Sequence, residues 1–176
     1  KLSTASNKKL VKTLDHPNGW HRLTAQRFLI ERTDSKSIPR LRKTVKKASP
    51  LGQLHALWTL DGLGALDSAT RLAALNSADG RVRAAAIRLS EGGPDMLTAL
   101  AGRTTDTSEK VRLQLALSLG TFPGALPQQL LGDLLAKEDH PLFRCAAVSG
   151  LRGRELEFLE EWIKRDDSDT TLLSLL

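Results

Sequence analysis

The chain has 176 residues, 40% of them hydrophobic and 26% charged, enough length to bury a core and too apolar a composition for a disordered segment. With 34 leucines, 19 alanines, no tyrosine and 4% aromatics, that core is made of good helix formers, which argues against a sheet. A single cysteine excludes an internal disulfide framework and multi-cysteine zinc or haem-attachment motifs, and no apolar run reaches the roughly 20 residues of a membrane span.

The net charge of +6 is unevenly placed. Residues 1–50 carry 13 Lys and Arg against 3 Asp and Glu, whereas residues 51–176 carry 13 against 17. One end is basic and the rest mildly acidic, a pattern suited to an anionic partner at that end.

In chain order, apolar residues at helical spacing predict repeated helix pairs. Leu10, Val11 and Leu14 precede a turn and Trp20–Leu29, giving a first unit over about 7–33. Ile38, Leu41 and Val45 lead to Leu51–Leu60 (36–65), and Leu72, Ala73 and Leu75 to Arg81–Ser90 (68–93). Met96, Leu97 and Leu100 lead to Lys110–Leu119 (95–121), and Leu130, Leu131, Leu134 and Leu135 to Leu142–Leu151 (125–152). A partial sixth unit (154–176) starts with a helix presenting Leu156, Leu159 and Ile163 on one face, then a turn and a second helix over 170–176.

The second helix of each unit aligns with the others over ten residues without gaps. Position six reads Ala25, Ala56, Ala86, Leu115 and Ala147, a small or apolar contact row. The turn Asp15-His16-Pro17 returns as Asp139-His140-Pro141. Since neither helix of a unit can bury its face alone, the expectation is an all-α chain. It would be one domain over 1–176, an α-solenoid of about five and a half helix pairs. The apolar Leu-Leu-Ser-Leu-Leu ending, where a polar cap is expected, predicts a piece of a larger protein.

Position three reads Arg22, Gln53, Arg83, Arg112 and Arg144, and four acidic turn residues, Asp15, Asp79, Asp106 and Asp139, precede the four arginines. The unit with Gln53 lacks the acid as well. This coincidence predicts Asp–Arg side-chain pairs that pin each turn to its second helix.

The stretch Asp79-Gly-Arg-Val-Arg83-Ala-Ala-Ala resembles the short HEAT repeats of the phycobilisome-lyase type. His16-Pro-Asn-Gly-Trp-His-Arg-Leu-Thr-Ala-Gln-Arg27 and His55-Ala-Leu-Trp-Thr-Leu-Asp-Gly-Leu63 resemble the HEAT region of haem-binding, membrane-bound-dehydrogenase-like proteins of planctomycetes and verrucomicrobia. That resemblance implies an exported parent whose redox chemistry lies outside this chain, with the present segment an internal spacer or interaction domain.

Catalytic patterns are sparse. Cys145 aligns with Leu23, Leu54, Ala84 and Leu113 and is expected in the core. The four histidines lack metal-ligand spacing, so neither a metal nor another cofactor is expected. Positions one, five and eight of the second helices form the most polar stripe. On it Trp58 takes the place held by Arg27 and Arg88 in flanking units, with Trp20, His55 and Arg81 nearby. The expected function is a non-catalytic scaffold that holds a protein partner or neighbouring domains there through stacking and cation–π contacts. The alternative is nucleic-acid binding through the basic first units, including Arg40-Leu-Arg-Lys-Thr-Val-Lys-Lys47.

Overall fold

A computed structural model describes residues 1–164. Every regular element among them is helical: eleven α-helices with short 3-10 turns before the first, third and seventh. The chain forms two compact units, residues 1–89 and 90–176.

The first unit holds α1 (Asn7–Thr13), α2 (Gly19–Arg32), α3 (Ile38–Lys47), α4 (Pro50–Gly62), α5 (Ser68–Leu75) and α6 (Gly80–Arg88). Helix α1 packs on α2, α3 on α4 and α5 on α6. Helices α2, α4 and α6 then contact one another in sequence, as do α1, α3 and α5. The unit is therefore two helical layers with the apolar faces between them. Its starts follow from local chemistry: Asn18 Oδ1 accepts from Trp20 N at 2.9 Å, Asp67 Oδ1 from Thr70 N at 2.7 Å, and Asp79 Oδ1 from Arg81 N at 2.8 Å. Pro50 opens α4 at a position where no amide hydrogen is needed.

The second unit holds α7 (Leu97–Ala101), α8 (Glu109–Leu119), α9 (Ala125–Leu135), α10 (Pro141–Leu151) and α11 (Glu155–Ile163). Helices α8 and α10 make its most extensive contact, with α9 against both and α11 against α9 and α10. A Cβ on Gly150 would lie 2.3 Å from the Leu117 carbonyl oxygen, and one on Gly120 would lie 2.6 Å from the Gly150 carbonyl carbon. The two backbones touch there, which only glycine permits.

Helical phase explains the burial. Ala25, Ala56, Ala86, Leu115 and Ala147 are all fully buried. Position four of the same helices lies about 160° round from that row at 100° per residue, beside positions one and eight. Leu23 is accordingly exposed, and so is Cys145, contrary to the core placement its apolar alignment suggested. The buried face of α11 also differs from expectation. Phe158 and Trp162 are buried and stack with ring centroids 5.6 Å apart, while Leu156 and Ile163 face outward. The helix turns its two largest apolar side chains, four residues apart, toward the core. The second helix expected over 170–176 lies outside the described residues.

The four arginines of the expected turn pairs each reach turn backbone. Arg22 Nη1 donates to the carbonyls of His16 and Pro17 at 2.7 and 2.8 Å, and Arg83 Nη1 to those of Ser77 and Ala78 at 2.9 and 3.1 Å. Arg112 Nη1 reaches the Asp106 carbonyl at 2.7 Å, and Arg144 Nη1 the Asp139 carbonyl at 3.4 Å. The arginines thus bind turn backbone five and six residues upstream, and three of the turn carboxylates accept from further donors. Asp15 accepts from the Ser49 amide and hydroxyl of the next helix pair. Asp79 takes the Arg81 fork at 3.0 and 2.7 Å, and Asp106 accepts from Ser108 N at 2.9 Å. The physical reason is reach: a turn closing on its own helix presents its carbonyls to the guanidinium before any side chain.

Polar side chains at these turns also link successive pairs. Asp15 meets Ser49, Gln53 Oε1 accepts from the Ser77 hydroxyl at 2.9 Å, and Arg112 forms an ion pair with Glu138. His16 and His140 repeat one device at the two matching turns. Each Nδ1 accepts an amide two residues on, from Asn18 at 3.0 Å and from Leu142 at 3.2 Å.

Candidate interaction surface

All six residues of the expected binding stripe lie in the first unit, on α2, α4 and α6. Because these helices neighbour one another in order, the positions fall on one layer face. Trp20 is 64% exposed and Trp58 39% exposed, and Arg27, Arg81 and Arg88 are exposed as well. Exposed tryptophans on a face otherwise rich in arginine have the composition of a recognition surface.

The residues are held in different ways. Arg81 is committed to Asp79 by its bidentate contact, and this pairing with the cap hydrogen bonds holds the Asp79 carboxyl down at about 2. Arg27 lies over the Phe28 ring at 5.0 Å and 3.5 Å from Glu31. It therefore turns along its own helix. The Trp20 indole packs edge-on against His21, with centroids 5.1 Å apart, and His21 in turn lies 4.4 Å from His16.

His55 is half-buried, with Nδ1 2.7 Å from Gln26 Oε1. A carboxamide oxygen only accepts, so Nδ1 carries the hydrogen and the ring joins α4 to α2. Burial, and then the nearby Arg22 charge, lower its pKa below the ordinary histidine value. This histidine is an internal polar contact of the layer, and Trp58 beside it supplies the open apolar surface.

A second surface was only half visible in the sequence. On α3, Arg42 turns toward α5 and pairs with Asp67 at 2.6 Å. Arg40, Lys43 and Lys47 turn the other way, toward Lys8 and Lys12 of α1. The five cations surround a depression of about 470 Å³ floored by Val11, Thr44 and Ala48. The run on α3 was legible, but its meeting with α1, some thirty residues earlier, is a product of the layer packing.

Among the described residues no cluster of three or more His, Cys, Asp or Glu is placed to hold a metal, and no helix is long and apolar enough to cross a membrane. Set against protein-family models, curated proteins and solved structures, the chain matches none of them.

Proposed function

We propose that this chain is a HEAT-like α-solenoid module without catalysis of its own, which holds a protein segment on the face formed by the second helices of its first three pairs. The carrying observation is the exposed aromatic and cationic stripe from Trp20 through Trp58 to Arg88. Two large indoles left in solvent represent apolar area that a partner can cover, and the arginines favour an acidic one. The solenoid reading draws support from the repeated layer order of residues 1–89 and from the polar contacts linking successive pairs. The resemblance to dehydrogenase-like haem proteins fits the same reading. There the module is an internal spacer of an exported parent and the bound segment belongs to a neighbouring domain.

Titration with synthetic peptides tests the reading, using indole fluorescence as the signal. Trp20 and Trp58 are open and Trp162 is buried, so a change in acrylamide quenching reports this face. Acidic peptides bearing Leu, Phe or Pro are expected to protect the indoles, and W58A with R88A to weaken binding at least about tenfold, as for an interface hot spot. Equal binding by the double variant, or protection by basic peptides alone, overturns the reading.

A further inference from the structure

The cationic depression between α1 and α3 belongs to the opposite layer from the tryptophan stripe and stands independently of that reading. Lys8, Lys12, Arg40, Lys43 and Lys47 line it, and none of the five donates a side-chain hydrogen bond or forms an ion pair among the described residues. Asp15, at the rim beside Ala48, is bound to Ser49, and a second carboxylate, Asp34, acts on Arg40. Asp34 is already bound by Asn7 Nδ2 at 2.6 Å and by the Lys36 amide at 2.9 Å. Lys8 and Lys12, like Lys43 and Lys47, are four apart on one helix, a spacing at which like charges repel. The fold thus carries an uncompensated repulsion that an anion would relieve.

The chemistry of the lining selects the anion. Four of the five cations are lysines and no aromatic residue lines the depression, whereas protein interfaces are depleted in lysine and enriched in aromatics. Single-stranded nucleic acid is held by base stacking on aromatics, which is missing here. A membrane surface is flat and is engaged by inserted apolar side chains, but Val11 is buried beneath the cations. Along each helix the cations recur every three or four residues, about 5–6 Å of axis, and adjacent helix axes lie about 8–10 Å apart. Two such rows of point charges can each contact successive phosphates of a backbone laid across them, with no need of base contacts. We infer that this depression binds the phosphate backbone of double-stranded nucleic acid, without reading its sequence.

The test is fluorescence anisotropy of the full chain with labelled duplexes of unrelated sequence, across a salt series starting near 20 mM. Binding is expected with little sequence preference and a slope of log affinity against log salt of about −4, close to 0.9 per phosphate contact. K43Q with K47Q should reduce that slope by about 2 and weaken low-salt binding more than about tenfold. K43R with K47R should retain both, and W58A should leave both unchanged. Circular dichroism confirms that these surface variants fold. No duplex binding near 20 mM salt, or binding indifferent to K43Q with K47Q, overturns the inference. Retention on phosphatidylserine vesicles without duplex binding overturns it in favour of a membrane surface, and equal affinity for polyglutamate in favour of an acidic protein.

Discussion

His55 and Gln26 join the second helices of the first two pairs through one hydrogen bond, 2.7 Å from Nδ1 to Oε1. Nδ1 donates that bond in either protonation state, and burial with the Arg22 charge lowers the pKa of His55 in the folded state. Between that lowered value and the unfolded value near 6.5, the unfolded chain binds more protons than the folded one, so stability rises with pH. It is complete above the unfolded pKa and is lost as the solution is acidified through the window below it. Urea midpoints measured from about pH 8 to about pH 5 should fall, and His55→Gln should flatten that fall. An unchanged slope in the variant would show that other groups carry the pH dependence.

The arginine contacts make a prediction about coupling. Arg22 binds backbone carbonyls and Asp15 binds Ser49, and the two side chains share no hydrogen bond or ion pair. A double-mutant cycle with R22A and D15A should give a coupling energy near zero, while each single change costs about 1 kcal/mol or more through its own lost hydrogen bonds. The same cycle on Arg112 and Glu138, which do form an ion pair across helix pairs, should give about 1 kcal/mol. Coupling at the first pair and none at the second would contradict the observed contacts.

Gly150 decides how closely α8 and α10 approach. Its added Cβ would meet the Leu117 carbonyl oxygen at 2.3 Å, and backbone cannot swing aside as a side chain can. G150A should therefore destabilise by about 1–3 kcal/mol, the range of forced overpacking, visible as a lower melting temperature. Gly102 offers the control, because its added Cβ would have only the Ala99 carbonyl oxygen at 3.7 Å. G102A should be neutral or slightly stabilising through reduced freedom of the unfolded chain.

Much of the helical framework was legible in the sequence because helix pairing is a local matter. Leu10 and Leu14, or Leu41 and Val45, stand four apart, and that spacing commits one face of a helix to the core whatever the partner. Position six was legible for the same reason, and it is fully buried in all five second helices. Cys145 shows where residue type misleads and phase does not: its apolar neighbours in the alignment suggested burial, while its angular position beside the exposed stripe put the thiol in solvent. In α11 the spacing predicted a core face of Leu156, Leu159 and Ile163, but Phe158 and Trp162 are the buried pair and Leu156 and Ile163 face solvent. The larger rings took the core because they remove more apolar surface from water.

By itself, then, the sequence determined the helices, the pairing of α1 with α2, α3 with α4 and α5 with α6, and the polarity of the face bearing Trp20 and Trp58, all properties carried within about one helical turn or one repeat. Only the tertiary structure decided which donor met which acceptor. The turn carbonyls took Arg22 and Arg83, Ser49 took Asp15, and Glu138 took Arg112. It also brought the lysines of α1 to those of α3 around one depression. Such choices depend on distances between groups many residues apart in the chain, and those distances are fixed only once the layers have packed.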